Sequence, residues 1–330
     1  MKKHCLAALI CALTLPSFGA FAQGAPAASP SPGEIVAQAP ASEWVAIAPE
    51  DLLVMELSAD RDRKPRRVVI QLMPPPYSQG WVGNIRKLAA AHWWDGTSVN
   101  RVQDNYVVQW GDASEEKPLP RGLATVPESA YVAFTHITLR ELPVQMTAEE
   151  RAEALASAEQ HRLEHWVQRD AYASEVKFSE GWPLGMDDKS SWPVHCYGMV
   201  GVGRNLSPDT GTGAELYTVI GQAPRHLDRN IALVGRVIEG MEHLSSLPRG
   251  TGDLGFYEDP AQRVPIVSAR LATDLPQAAQ PKFQYLSTEG ATFERYADAR
   301  ANRRDPFFNV PAGGADICNI PVPVRKVTEN

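Results

Sequence analysis

Aliphatic and β-branched residues fall along this chain in short runs more than at helical spacing. LLVMELS at 52–58 and RRVVIQL at 66–72 are two such runs. The charged turn ADRDRKP separates them, so the pair predicts a hairpin or neighbouring strands. Between 198 and 240 three more runs, MVGVG, ELYTVIG and IALVGRVI, are divided by the turn-rich stretches NLSPDTGTG and QAPRHLDRN. VPIVSARLA at 264–272 predicts a last long strand. Helical spacing marks three places. Trp81, Ile85, Leu88 and Ala89 recur at three- and four-residue steps and give one apolar face between Pro76 and Trp93. From Thr147 to Val176 the chain is highly charged: Thr147 and Glu150 can form a capping box, and Leu155, Leu163, Trp166 and Val167 give a narrow apolar stripe. This segment reads as an inserted helix lying over the strand-rich body. TFERYADARANR at 292–303 predicts a short helix in a polar, Pro-rich tail.

The two ends have other characters. Residues 1–22 combine Lys2 and Lys3, the apolar run CLAALICALTL and the small-x-small site Ala20-Phe21-Ala22, the layout of a cleaved secretory signal. The apolar run is too short for an ordinary membrane-spanning helix, and no later segment has a long uncharged apolar run, so the expected product is exported, to a bacterial periplasm, without a membrane span. Residues 23–43, rich in Ala, Pro and Ser, have little to bury and read as a flexible linker. The fold is then expected to begin near Trp44.

Charge and cysteine use narrow the partners. The formal net charge of −7 becomes −9 without Lys2 and Lys3, 30 basic against 39 acidic residues. That balance argues against a general electrostatic affinity for nucleic acid and favours proteins or peptides. Cys5 and Cys11 lie in the signal, which leaves Cys196 and Cys318. They are either one disulfide tying the tail to the body or two separate thiols.

VNRVQDNYVVQWGD at 99–112 places Arg101, Tyr106 and Gln109 at fixed offsets in a strand-like segment. A guanidinium is a permanent cation with a planar fork of donors, an aromatic face can floor an apolar slot, and an amide both donates and accepts. The stretch resembles the cyclophilin family of peptidyl-prolyl isomerases, whose signature runs F-H-R-V-x-x-x-F-x-x-Q-x-G-D after an upstream F-Y-D-G-T. Here the upstream piece is Trp93-Trp94-Asp95-Gly96-Thr97. The resemblance extends back through RRVVIQL and the N-I-R-K-L helix at 84–88, and forward to GAELYTVIG, LDRN and LVGRVIEGM.

This resemblance implies a mainly β fold: an eight-stranded antiparallel barrel capped by helices, over 44–275, with a helical insertion at about 113–194 and a C-terminal extension at 276–330. It implies Xaa-Pro isomerisation with no cofactor and no metal. Arg101 takes the place of the catalytic arginine. Tyr106, Val107 and Gln109 take the places of the proline-pocket floor, an apolar pocket residue and a substrate-contacting amide. In the facing half, Glu215 replaces the usual glutamine, Tyr217 matches a second aromatic wall and Leu227 a pocket leucine. His226 stands where many members carry tryptophan, Ile231 where histidine is common, and Asn100 replaces the histidine before the arginine. Gly203, Arg204 and Asn205 are candidates for the rim that pairs with an extended peptide. The implied partners are proline-containing peptides and unfolded exported proteins.

Two other readings compete. Asn100, Glu215 and Ile231 suit a binding or chaperone module that keeps the barrel and slot with little turnover. His161, Glu164 and His165 spell H-x-x-E-H, the spacing of inverted zinc peptidases. Histidines on a helix charged on nearly all faces are more often surface residues, and this zinc hydrolase is a remote alternative. No G-x-S-x-G elbow, Walker loop or complete dinucleotide fingerprint is present. Oligomeric state has no sequence signal.

Overall fold

The structure is a computed structural model that describes residues 29–134, 147 and 170–327. In chain order it runs through α1 (Pro32–Ala37), β1 (Trp44–Ala46), β2 (Leu52–Leu57), β3 (Arg66–Leu72), α2 (Gln79–Ala90), β4 (Ser98–Val102) and β5 (Val107–Gly111). Four strands follow, β6 (Ala133–Phe134), β7 (Glu175–Ser179), β8 (Trp182–Met186) and β9 (Ser190–Pro193). Next come β10 (Met199–Val202), β11 (Leu216–Val219), β12 (Leu233–Glu239), α3 (Glu242–Ser245), β13 (Val264–Leu271), β14 (Phe283–Leu286), α4 (Ala291–Ala301) and β15 (Val324–Lys326).

Eight of these strands close into a barrel in the order β10-β11-β5-β4-β13-β2-β3-β12, every pairing antiparallel. The runs LLVMELS and RRVVIQL lack polar alternation because β2 and β3 are covered on both faces. Leu53, Met55, Val68 and Ile70 point into the barrel core, whereas Leu52, Val54 and Val69 join a second cluster with Ile47, Ala272 and Phe283 outside it. Helix α2 closes one end, burying Trp81, Val82, Ile85, Leu88 and Ala89, the face that its spacing predicts.

Helix α2 also fixes the loop that borders the site. Trp81 Nε1 donates to the carbonyl of Thr210 at 3.0 Å, and fully buried Asn84 donates from Nδ2 to the carbonyls of Ala124 and Thr212. These bonds satisfy polar groups that burial would otherwise leave unpaired. They also pin residues 210–212 to the end of the barrel.

Three expectations need correction. The stretch read as a flexible linker carries α1 in its second half. Ser31 and Glu34 form a reciprocal capping box with Pro32 in the first turn, and Ile35 packs into a small core with Trp44, Leu286, Phe293, Tyr296 and Ile320. The segment read as helical through Val176 is not helical at 170–174, and β7 begins at Glu175; Val176 is buried between exposed Glu175 and Lys177. The described part of the insertion is a four-stranded sheet, β6-β9-β8-β7. The capping glutamate Glu150, the apolar stripe, and His161, Glu164 and His165 lie outside the described residues, as does the segment read as a signal. In the C-terminal extension, β14 lies between β1 and β15 in a three-stranded sheet.

Two devices join these layers. Arg236 of β12 is buried without a carboxylate. It donates to Gln71 Oε1 at 2.9 Å and to the Gly181 carbonyl at 2.7 Å, and lies over the Trp182 ring, so it clips the barrel to the second sheet. Burial pushes its pKa down to about 10. The second device is the disulfide between Cys196 and Cys318, which settles the open choice between a bridge and two thiols. It closes a loop across a sequence separation of 122 residues. Cys318→Ser is therefore expected to lower stability by about 2–4 kcal/mol, chiefly by freeing the unfolded chain. Urea unfolding of the variant against the oxidised wild type measures this, and equal midpoints would contradict it.

Candidate functional site

Opposed residues in antiparallel strands share one face. The register therefore lines up Arg101 of β4, Gln109 of β5, Tyr217 of β11 and Gly201 of β10 in one row across four strands. The neighbouring row, Val99, Trp110, Leu216 and Val202, points into the core. Alternation thus turns one row outward as a polar and aromatic wall. A register shift between Val99 and Arg101 bends β4 beneath the arginine. Gly201 leaves room for an aromatic ring, since a Cβ there would overlap the Tyr217 phenol.

Three hydrogen bonds hold the Arg101 guanidinium. Nε donates to the Leu254 carbonyl at 2.7 Å, Nη1 to Gln109 Oε1 at 3.0 Å, and Nη2 to Gln103 Oε1. The group also lies 5.9 Å from the Tyr106 ring centre and 5.3 Å from that of Phe256. Burial lowers its pKa from the ordinary value, yet a guanidinium remains a cation at any physiological pH.

Beside it, Val107, Tyr217 and Val219 form a small apolar cluster against which Tyr106 and Ile231 pack. Arginine and cluster face a cavity of about 530 Å³. Its lining includes Arg101, Tyr106, Val107, Gln109, Glu215, Tyr217 and Leu227, all of them expected from the sequence. Gly203, Arg204 and Asn205 form one border. His226 is the exception. It is exposed, lies outside the cavity lining, and stacks on Tyr106 at 6.4 Å, because the turn at Arg225–Leu227 directs it outward.

Sequence reading missed the opposite border and what stands behind the wall. Leu254 and Phe256 reach the cavity from the turn at Asp253–Gly255, and no local signal marks that turn as part of the site. Behind Tyr217 lies a buried polar chain. The Tyr217 hydroxyl meets His195 Nε2 at 2.9 Å, and Asp228 Oδ1 receives both the backbone N–H and Nδ1 of His195, at 3.0 and 2.9 Å. Arg225 donates from Nε to Asp228 Oδ2 and, through both terminal nitrogens, to Asp170. The carboxylate assigns the proton to His195 Nδ1, so Nε2 accepts from the tyrosine. Burial pushes the imidazole pKa down and the Tyr217 phenol well up, which keeps both neutral. Asp228 stands inside the LDRN motif and was the available signal.

Glu215 is the anomalous group of the cavity. Burial, foremost, raises its pKa to about 7; the amide of Gln109, the backbone N–H of Asp112 and the amide of Asn100 act against that, and the charge of Asp112 adds to it. A carboxyl whose folded pKa exceeds its unfolded value adds stability that is complete below about 4.5 and lost as pH rises through about 7. Glu215→Gln is therefore expected to stabilise the fold at pH 8 by on the order of 2 kcal/mol and to change little at pH 4. Denaturant midpoints at the two pH values test this, and an equal gain at both would refute the assignment.

Among the described residues, no group of three or more His, Cys, Asp or Glu side chains is placed to hold a metal ion. No helix of the described residues is long and apolar enough to cross a membrane. The arrangement can donate hydrogen bonds to an extended chain lying over an apolar slot. It presents no activated nucleophile.

Residues 66–271 match the sequence model of the cyclophilin type peptidyl-prolyl cis-trans isomerase family. The chain belongs to that family. Its enzyme class is accordingly peptidyl-prolyl cis-trans isomerase, EC 5.2.1.8, and the closed antiparallel barrel is the family's fold. Among solved structures, the cyclophilin AquaCyp293 from Hirschia baltica superposes with a TM-score of 0.59 at 21% identity, covering 87% of this chain and 95% of its own. That likeness reaches beyond the barrel to most of the chain. A cyclophilin type isomerase from Cryptosporidium parvum, solved in the presence of the dipeptide Ala-Pro, matches at 9% identity and a TM-score of 0.36 over 66% of this chain and 98% of its own. No curated protein matches significantly.

Proposed function

We propose that this cyclophilin isomerises Xaa-Pro bonds of exported proteins, with Arg101 stabilising the twisted amide. Amide resonance keeps the bond planar behind a barrier of roughly 20 kcal/mol. Rotation breaks no bond. It restores the lone pair on the prolyl nitrogen, and a donor already aimed at that nitrogen or at the adjoining carbonyl lowers the barrier without reorganising.

The observation that carries this reading is the state of Arg101 at the edge of the apolar slot. A guanidinium has five N–H donors. Three are spent on Leu254, Gln109 and Gln103, which fixes the group and leaves two for substrate. Tyr106, Val107, Tyr217 and Leu227 supply the apolar surface that suits a proline ring, and Gln109 an amide for the peptide backbone.

Protease-free NMR exchange on a blocked Ala-Ala-Pro-Phe peptide tests the chemistry. The wild type is expected to speed cis/trans exchange well beyond the spontaneous rate. Binding without acceleration, across several residues before proline, would leave a binding module instead. The exported setting rests on the signal-like start and is compatible with the disulfide. Cell fractionation with N-terminal sequencing checks it; an unprocessed cytosolic product would refute it.

A further inference from the structure

Gln109 is gripped from one side only by a bond to Arg101. Its Oε1 accepts from Arg101 Nη1, which sets the amide plane and leaves Nε2 as a donor pointing elsewhere. Glu215 stands on that other side. A Cβ at Gly203 would lie 3.0 Å from Glu215 Cβ and 3.6 Å from Gln109 Nε2, so the three groups share one wall. A Cβ at Gly111 would overlap the Glu215 carboxylate, which therefore crosses over β5 where only glycine lets it pass. Two acceptors nearby are buried and lack partners: Glu215 Oε2 and Asn100 Oδ1.

A protonated Glu215 offers one hydroxyl donor and no longer carries the charge that the amides of Gln109 and Asn100 stabilise. The ionised carboxylate instead takes the Nε2–H of Gln109, which holds the amide oxygen on Arg101. We infer that Glu215 is a positioning residue for isomerisation: through Gln109 it braces the Arg101 guanidinium, and its protonation loosens that brace. The inference rests on the reading of Arg101 as the donor to the twisted amide.

The other charged groups around the cavity are Asp112, which follows β5; Glu115 and Lys117, in the segment after it; and Arg204 and Asp209, in the loop after β10. Asp112 and Asp209 are held below the ordinary carboxylate range, by backbone and hydroxyl hydrogen bonds that outweigh burial in Asp112 and chiefly by backbone N–H groups in Asp209. They stay ionised across the neutral range. His226, stacked outside Tyr106, is the nearby histidine beyond the cavity lining.

The test uses the full chain from pH 5.5 to 8.5 with a blocked Ala-Ala-Pro-Phe amide, which has no titrating group in that range. Two readouts are taken: NMR exchange rates, and the Arg101 Nε–H resonance without peptide. The expected result is a kcat that rises at least threefold from pH 5.5 to 8.5, with KM moving less, and an Arg101 resonance that shifts with a midpoint near 7. Glu215→Gln is expected to flatten both profiles, Gln109→Met to uncouple the Arg101 resonance, and His226→Gln to retain both. A rise that persists in Glu215→Gln, or an Arg101 resonance that ignores pH in the wild type, overturns the brace. A wild type without turnover whose resonance still titrates through Glu215 would sink the isomerase reading and leave the brace standing.

Discussion

Arg101→Ala is expected to lower kcat/KM for an Ala-Pro peptide by about 10²–10³-fold, the usual effect of removing one preorganised donor from a site where charge is redistributed. The loss belongs in kcat. The apolar slot of Val107, Tyr217 and Leu227 does not depend on the guanidinium for its shape, and Val107 and Tyr217 are buried by strand packing. Arg101→Lys is expected to recover little of the rate, because an ammonium cannot hold Leu254, Gln109 and Gln103 together and still present two further N–H groups. Half-buried Arg101 faces the cavity, so its removal should leave the unfolding midpoint nearly unchanged. Exchange rates and peptide titrations for both variants separate the two parameters. A kcat within about threefold of wild type would remove Arg101 from the chemistry, since a donor worth less than about 1 kcal/mol stabilises nothing specific to the twisted amide.

The legible parts of this chain are those whose cause is local. Strands β2, β3, β10 to β13 and helix α2 announce themselves by β-branched runs and one helical stripe, and the row Arg101–Gln109 follows from alternation along a single hairpin. Helix α4 appears where TFERYADARANR predicts it, at Ala291–Ala301. The illegible parts depend on partners far off in sequence. Helix α1 has every local mark of a helix start, yet its six residues need Phe293 and Tyr296 to pack against, and an Ala- and Pro-rich setting concealed it. His195 reads as one histidine among eight until the fold brings Asp228 and Tyr217 to its two ring nitrogens. Leu254 and Phe256 enter the site because Arg101 captures a carbonyl 153 positions away. Family resemblance reached Tyr217 and Leu227, but it assigns residues, and the network behind them arises from chemistry that differs here: a phenol hydroxyl gives His195 a partner.

That network carries the largest expected stability effect. Asp228→Ala should destabilise the fold by about 3–5 kcal/mol, because it leaves a buried cation and a buried imidazole N–H without their acceptor. His195, Arg225 and Asp228 are 1%, 3% and 5% exposed, so water cannot replace the missing oxygens. Arg225 retains Asp170 through two bonds, but its Nε loses its partner. Asp228→Asn should cost less, since an amide oxygen can still accept from His195. The pH dependence has a definite sign. Burial pushes the Asp228 carboxyl up, but the hydrogen bond from His195 and the charge of Arg225 outweigh it and hold the folded pKa below the usual 3.8. Its contribution is therefore complete above the unfolded value and disappears as pH falls through the lower, folded one. The gap between wild type and Asp228→Ala should accordingly be full at pH 7 and close in strong acid. Urea midpoints at pH 7 and pH 3 measure it. The effect should also reach the site: His195 without Asp228 no longer has a fixed tautomer, Tyr217 loses a defined acceptor, and the slot wall loosens, raising KM for the peptide more than it lowers kcat. A variant that is destabilised yet keeps its KM would show that strand packing alone holds Tyr217, and that the buried chain serves the fold but not the slot.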